Sequence, residues 1–179
     1  MVKEMYGVLA RVFTVVLALI GIAAIYGGVF AHGFVTDQLL QEKISMPGEQ
    51  AISALKDEAS QEALKPHQGD MMSTGPQAKV YADNFIWQHM MNSSDGKTYQ
   101  EMGDVIKEAK KNGASEEEIK KLNDTRDQLF KGDTLRGILL NAYGWWLVGS
   151  IAIWAGVGLI AIAVILAILG FFVLRTKRA

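Results

Sequence analysis

The sequence predicts an all-α membrane protein in which two transmembrane helices are joined by a mostly helical extracytoplasmic domain. Two runs, residues 12–35 and residues 137–174, contain no Asp, Glu, Lys or Arg. A helix rises about 1.5 Å per residue and the hydrocarbon core of a bilayer is about 30 Å thick, so each run is long enough to cross it. The polar segment between them carries helix-capping signals.

The first run is longer than the apolar region of a secretory signal peptide, so we expect a retained membrane anchor. The predicted parts of the chain are a cytoplasmic N-terminal tail (1–11), transmembrane helix 1 (12–35), an extracytoplasmic helical domain (36–141), transmembrane helix 2 (142–174) and a cytoplasmic C-terminal tail (175–179).

Basic residues predict the orientation, because short tails rich in Lys and Arg stay in the cytoplasm. The predicted location is therefore the plasma membrane, crossed twice, with both termini cytoplasmic and the loop 36–141 outside. This loop is acidic, which argues against nucleic acid as a partner. The basic residues of the tails are Lys3, Arg11, Arg175, Lys177 and Arg178.

The chain contains no cysteine, which excludes a disulfide framework, a CxxCH haem attachment and a thiolate metal site. It also lacks the GxSxG, HExxH and phosphate-loop motifs of common enzyme classes. We therefore predict a protein that is not an enzyme and holds no cofactor of its own.

Small residues at helical spacing predict where the spans pack, because small side chains let two helix backbones approach closely. We identify no internal repeat in the sequence. His32 lies near the outer end of the first span, and an ionisable group at membrane depth suggests a proton relay as an alternative role. The positions predicted for helix packing are Gly21, Ala24, Gly28, Gly149, Ala152 and Gly156.

Aromatic and methionine side chains predict docking surfaces for partner proteins. Residues 80–102 are rich in both, as the cores of protein interfaces are. Aromatic residues at the start of the second span are typical of a membrane-interface belt. The predicted docking residues are Phe85, Trp87, Met90, Met91, Ile138, Leu139, Tyr143, Trp145 and Trp146.

Two metal sites are weighed against this interpretation. His89, Met90 and Met91 offer imidazole and thioether ligands, which suit Cu(I), but methionine also fills irregular apolar contacts. Repeated methionine spacings are absent, so we prefer packing. A 2-His-1-carboxylate iron site would need His67 with His89, and no spacing marks them as a pair.

Local signals predict the helices of the loop. Thr98 with Glu101 and Ser115 with Glu118 match the capping box, and each pair predicts the start of a helix. Gly113 is predicted to end the first of these helices. The other boundaries predicted are a break of the second helix at 132–134, an outward extension of span one over 37–44, and a surface loop over 56–79 around Pro66, Gly69, Gly75 and Pro76.

Three segments carry a resemblance to a known family: DQLLQEKI (37–44), YADNFIWQH (81–89) and GKTYQEM (96–102). Together they resemble small two-span envelope proteins of Actinobacteria, often named ring-opening dioxygenases, whose members read EKI, YAxxxIxxH and GKTYAEL. No residue here supports ring-opening chemistry, and additions at about 56–76 and 103–131 depart from the family pattern. The matching residues are Tyr81, Ala82, Ile86, His89, Gly96, Lys97, Thr98, Tyr99 and Glu101.

In overall form, such proteins are similar to small accessory subunits of the actinobacterial respiratory supercomplex, where cytochrome bcc joins cytochrome aa3 oxidase. The resemblance implies a non-catalytic subunit that binds cytochrome bcc or aa3 oxidase subunits and membrane lipid, and that holds no redox centre. Two alternatives stay open: an accessory factor of a cell-envelope transport or cell-wall machine, and a copper handler on the outer side.

Overall fold

The computed structural model describes residues 2–174 and is about 84% helical. Within this range there is no β-strand, although an isolated antiparallel bridge joins Ser45 to Met71. The all-α prediction is therefore confirmed. The tail 175–179, which carries three of the predicted orientation charges, lies outside the described residues.

Two of the helices are long and apolar enough to cross a membrane, and the remaining helices come between them in the sequence. A π-helical turn joins α4 to α5, and a second one, Leu169–Val173, follows α7. The elements are α1 (Val2–Gln41), α2 (Glu49–Ser53), α3 (Glu58–Leu64), a 3₁₀ turn (Lys65–His67), α4 (Gly75–Val80), the first π-helical turn (Tyr81–Ile86), α5 (Trp87–Ser93), α6 (Tyr99–Lys111) and α7 (Glu116–Ile168).

The chain forms two compact units. One, the helix-pair unit, contains the chain up to Phe34 and from Trp145 onward. The other, the loop unit, is Val35–Gly144. Each unit is described separately below.

The predicted extension of α1 through residue 44 is wrong by three residues. Helix α1 ends at Gln41, and Lys43 takes a left-handed backbone conformation with φ 52°. The chain then runs beside residues 70–72, because Met72 N donates to the Ile44 carbonyl at 2.9 Å and Met46 N donates to the Asp70 carbonyl at 2.8 Å. Pairing of two backbone segments replaces the helix here.

The prediction of a surface loop over residues 56–79 is also wrong, because this segment contains α3, a 3₁₀ turn and the start of α4. The prolines lie where a helix has no need of their amide: Pro66 lies in the 3₁₀ turn and Pro76 in the first turn of α4. Leu64 and Met72 are fully buried. The segment therefore supplies core of the loop unit rather than solvent-exposed loop.

Both predicted capping boxes are confirmed. Thr98 N donates to Glu101 Oε2 at 2.8 Å, and Ser115 N donates to Glu118 Oε2 at 3.0 Å. These backbone hydrogen bonds lower the pKa of the Glu101 and Glu118 carboxyls. Helix α6 ends before Gly113, which has φ 76° as a helix-terminating glycine should.

The predicted break of the helix at 132–134 is wrong, because α7 continues through these residues. Within this helix the Thr134 hydroxyl donates to the Phe130 carbonyl at 2.8 Å. Gly132 serves a different purpose: a Cβ placed on it would lie 2.6 Å from Met90 Sδ. Glycine here gives room to a buried side chain of α5 rather than ending a helix.

Replacing Gly132 and Gly137 by Ala should give opposite results. Gly137 lies on the same helix with no atom within 4 Å of an added Cβ, so Gly137→Ala should stabilise the chain by about 1 kcal/mol. Gly132→Ala makes the same helix gain but forces Met90 to move, and it should destabilise the chain by about 1–2 kcal/mol. Urea unfolding of the full chain in detergent measures both variants. Equal stabilisation by both would contradict the packing argument for Gly132.

Candidate functional site: helix-packing and docking surfaces

Four glycines place the backbones of α1 and α7 against each other in the helix-pair unit. A Cβ on Gly156 would lie 2.5 Å from the Gly21 carbonyl oxygen, and a Cβ on Gly149 would lie 2.9 Å from the Gly28 carbonyl oxygen. No larger residue fits these positions without separating the helices. The structure therefore brings together four of the six predicted packing residues.

The two segments that meet share one pattern, which the sequence analysis missed. Residues 21–28 read GIAAIYGG and residues 149–156 read GSIAIWAG, so both follow G-x-x-A-I-(Y/W)-x-G. Each glycine that opens one segment contacts the glycine that closes the other. The antiparallel crossing is therefore approximately two-fold symmetric, with equivalent residues on equivalent sides of it.

Within the repeat, isoleucine rather than alanine lies at the crossing. A Cβ on Gly28 would lie 2.6 Å from Ile153 Cγ1, and one on Gly156 would lie 2.7 Å from Ile25 Cγ1. Ala24 is half-buried beside this contact, and Ala152 lines a neighbouring groove. The two predicted alanines are thus near the crossing without forming its closest contacts.

His32 connects α1 to α7 at one end of the pair. Its Nε2 lies 2.9 Å from the Trp146 carbonyl oxygen and 3.1 Å from Ser150 Oγ. A carbonyl oxygen can only accept, so Nε2 carries a proton and donates it. The imidazole also stacks on the Trp146 ring, with centroids 4.0 Å apart. Trp146, predicted as a docking residue, is therefore engaged inside the chain.

Arg11 makes a corresponding contact at the other end. Because of the π-helical turn, Leu174 N donates to the Leu169 carbonyl at 2.8 Å, which leaves the Gly170 carbonyl available. Arg11 Nε donates to that carbonyl at 3.0 Å, and its guanidinium lies over the Phe171 ring. Sequence reasoning used Arg11 only as an orientation charge and had no signal for this contact.

An apolar groove runs beside the crossing in the helix-pair unit. It has a volume of about 420 Å³. Its floor contains small residues, including Gly28, Gly149 and Ala152, and its walls include Phe34 and Trp145. Trp145 is 57% exposed, so this predicted docking residue is available for contact.

In the loop unit, an ionic cluster surrounds Asp83 in the first π-helical turn. Its carboxylate accepts a hydrogen bond from Arg136 at 2.8 Å and another from Lys79. Burial raises the pKa of Asp83, but the hydrogen bonds and positive charges of Lys79 and Arg136 lower that pKa by more, so it lies below its ordinary value.

The same cations cover two predicted docking residues. The Arg136 guanidinium lies 4.8 Å from the Trp87 ring centroid, and Lys79 Nζ lies 5.7 Å from the Tyr143 centroid. Cation–π contact of this kind stabilises the ion pair and the rings together. Lys79 and Asp83 have the i, i+4 spacing of a helical ion pair, a signal that sequence reasoning missed. Arg136, 53 residues away, offers no such signal.

A row of rings follows the ion cluster along the chain. The rings of Tyr81, Phe85 and His89 contact in sequence, with centroids 5.1 and 4.4 Å apart. His89 Nδ1 donates to the Phe85 carbonyl at 2.8 Å. The row borders a shallow groove of about 370 Å³ that α7 completes with Gln128 and Gly132. Burial raises the pKa of the Tyr81 hydroxyl.

The remaining predicted docking residues differ in exposure. Met90 and Leu139 are buried, with 5% and 2% of their surface exposed, so neither contributes to a docking surface. Both residues pack in the interior of the loop unit, whereas the sequence predicted that they contact a partner. Met91 and Phe85 are half-buried, whereas Ile138 is 62% exposed.

The residues considered as metal ligands differ in their surroundings. His89 is exposed, whereas the neighbouring Met90 sulfur is packed against Gly132. His67 lies in the 3₁₀ turn with Nδ1 4.0 Å from Asp70. Within residues 2–174, no group of three or more His, Asp or Glu side chains has a geometry that could hold a metal ion.

Comparison of the chain with known protein families, curated proteins and solved structures gave no match. The resemblance to the actinobacterial two-span proteins stays a prediction. The surfaces described above are therefore the basis on which a function is proposed.

Valine at Gly28 should separate α1 from α7, because its side chain would overlap Ile153 and the Gly149 backbone. We expect a loss of about 3 kcal/mol in pairing. The chain has no cysteine, so spin labels on cysteines introduced at exposed positions 20 and 162 report the helix separation by pulsed EPR. Gly33→Val is the matched control, since Gly33 has no neighbouring atom within 4 Å. An unchanged distance in Gly28→Val would refute the contact.

Asparagine at Asp83 should destabilise the loop unit by about 2 kcal/mol, because it removes the charged acceptor shared by two cations. Hydrogen exchange over residues 79–93 at pH 7 measures this loss. Asp104→Asn, at an ion pair exposed on both sides, should change stability by less than about 0.5 kcal/mol.

The same pair predicts a pH dependence. The folded pKa of Asp83 lies below the ordinary value of 3.8, so its stabilisation is complete above that value and is lost as the pH falls through the folded pKa. The urea midpoints of wild type and Asp83→Asn should therefore approach each other as the pH is lowered below 3.8. A difference that stays constant throughout would contradict this assignment.

Proposed function

We propose that the chain is an integral membrane protein that crosses the plasma membrane twice and acts as a non-catalytic accessory subunit of a membrane complex. The observation that carries this proposal is the exposure of the helix-pair unit. Apart from its contact with α7, α1 exposes large apolar side chains on every side, among them Leu19, Ile22 and Phe30. A helix that is apolar all round and unburied by its own chain needs lipid or protein around it.

The proposed orientation places both termini in the cytoplasm and the loop unit outside. Support comes from the basic tails, since short segments rich in Lys and Arg stay on the cytoplasmic side. Lys3 and Arg11 precede the apolar part of α1, while three basic residues follow that of α7.

An accessory role fits how the loop unit uses its polar groups. Asp83 forms ion pairs with Lys79 and Arg136, and both cations lie over aromatic rings. The loop unit also exposes apolar side chains on α7, among them Ile138 and Phe130. Exposed apolar side chains of this kind are available for contact with another protein.

The proposed complex is the respiratory supercomplex of cytochrome bcc and aa3 oxidase. This part of the proposal rests on the resemblance of residues 37–44, 81–89 and 96–102 to the actinobacterial two-span proteins. In such a complex the chain would bind cofactor-bearing subunits and hold no redox centre itself.

Isolation of the tagged full chain from native membranes in mild detergent tests the proposal. We expect haem a, b and c bands in the visible spectrum, with cytochrome bcc or aa3 oxidase subunits identified by mass spectrometry. Ile138→Ser should reduce their recovery because it removes exposed apolar surface, while Lys120→Ser, at an exposed position of the same helix, should not. A colourless eluate with transport or cell-wall proteins would replace the respiratory assignment by the envelope alternative.

A further inference from the structure

We infer that two copies of the chain associate in the membrane through the face that carries Tyr26 of α1 and Trp154 of α7. The inference rests on the proposed membrane insertion and goes beyond the accessory role. Tyr26 and Trp154 occupy the same place in the repeated segments 21–28 and 149–156. Sequence reasoning did not single out either residue.

Both side chains are unusually exposed for residues with a polar end. Tyr26 is 73% exposed and Trp154 is 74% exposed. Among the described residues, neither the phenol hydroxyl nor the indole N–H has a hydrogen-bond partner. Tyr and Trp normally occur at the membrane surface, where water satisfies this polar end.

These two residues lie far from the membrane surface. Tyr26 is fifteen residues from Arg11 and eleven from Asp37, the nearest charges on α1, which corresponds to about 22 and 16 Å along a helix. Trp154 is eighteen residues from Arg136, the nearest charge before it, or about 27 Å. In a hydrocarbon core about 30 Å thick, both polar groups are below the reach of headgroups and water.

The side-chain directions keep the two polar ends at one depth. Side chains in a helix tilt toward its N-terminus. Because α1 and α7 are antiparallel, Tyr26 and Trp154 tilt toward each other's level and cannot both reach the same membrane surface. Lipid chains offer no hydrogen-bond acceptor there, so an unpaired donor at this depth is costly.

The symmetry of the crossing places both residues on one side of the pair. The two helices of an antiparallel pair are related by a two-fold axis that passes between them. Rotation about this axis exchanges the helices and leaves equivalent residues on the same side of the pair. Positions 26 and 154 are equivalent in the repeat, since each follows its opening glycine by five residues. Neither of them lines the apolar groove beside Trp145.

A second copy of the chain supplies hydrogen-bond partners for Tyr26 and Trp154 on this face. Rotation by a half turn about the membrane normal brings α1 of one copy opposite α7 of the other, which sets Tyr26 against the partner's Trp154 at equal depth. Indole N–H is a donor only, whereas a phenol oxygen also accepts. The interface then contains the Trp–Tyr hydrogen bond twice, as a two-fold interface requires.

Thiol cross-linking of the full chain in liposomes tests the arrangement, and the absence of native cysteine makes single-cysteine variants unambiguous. Differently tagged Tyr26→Cys and Trp154→Cys chains, mixed in phosphatidylcholine–phosphatidylglycerol liposomes, should form the mixed product with a short bis-maleimide. Phe30→Cys mixed with Val148→Cys, both in the groove wall, should not. Cross-linking at the groove positions alone, or at neither pair, would overturn the inference.

Removal of each donor tests the hydrogen bond itself. Trp154→Phe and Tyr26→Phe should each raise the dissociation constant of the dimer about three- to tenfold, as measured by energy transfer between labelled chains in liposomes. Phe30→Leu, at an exposed apolar position, should leave it unchanged. A monomer at all protein-to-lipid ratios, or unchanged dimerisation in both donor variants, would overturn the inference.

Failure of the inference can be separated from failure of the proposed function by alkaline carbonate extraction of native membranes. A chain that resists extraction but is monomeric in liposomes overturns only the dimer. A chain that carbonate releases overturns membrane insertion and the dimer with it. If the same cysteine variants in native membranes cross-link only to a different polypeptide, the accessory role stands and that partner replaces the second copy.

Discussion

The contact of two helix backbones at glycine is the constraint on which the helix-pair unit depends. Once Gly21 meets Gly156 and Gly28 meets Gly149, the register of α1 against α7 is determined over their whole shared length. That register brings His32 to the Trp146 carbonyl and Arg11 to the Gly170 carbonyl. Under the proposed membrane insertion, dispersion between close backbones is what stabilises the crossing, because lipid chains are as apolar as the helices and supply no hydrophobic driving force for pairing.

The polar contacts at the two ends of the pair restrict this packing to one register. Arg11 and His32 are 21 residues apart, about 31 Å along a helix, which is close to the thickness of a hydrocarbon core. Each donates to a carbonyl of α7 or of the π-helical turn that follows it. A shift by one turn would break both hydrogen bonds together, so they select one register among the several that small residues permit.

Local signals predicted part of the fold, whereas distant contacts were not predictable from the sequence. The long apolar runs and both capping boxes lie within short windows, so composition and spacing suffice for them. Residues 56–79 were misread because Pro and Gly also begin helices. Gly132 was misread as a helix break because its role is to leave room for Met90, which lies 42 residues earlier in the chain. Only the position of Met90 requires the fold, because a proline in the first turn of a helix, such as Pro76, can be recognised from the sequence.

The candidate surfaces were predictable only in part, for a similar reason. Aromatic side chains such as Trp87 and Tyr143 can contact either a cation of the same chain or a partner protein. Only the positions of Arg136 and Lys79 show that they contact cations of their own chain. The repeat in 21–28 and 149–156 escaped notice because 128 residues separate its copies and only the register of the helices aligns them.

The same comparison separates residues that hold the chain together from residues that remain for recognition. His32 and Asp83 use their polar groups in contacts within their own unit, and Trp87 and Trp146 use their rings in such contacts. Tyr26 and Trp154 have equally polar ends and make no such contact. An unpaired donor is cheap in water and costly in hydrocarbon, so under the proposed membrane insertion we infer that another chain completes the surface around these two side chains.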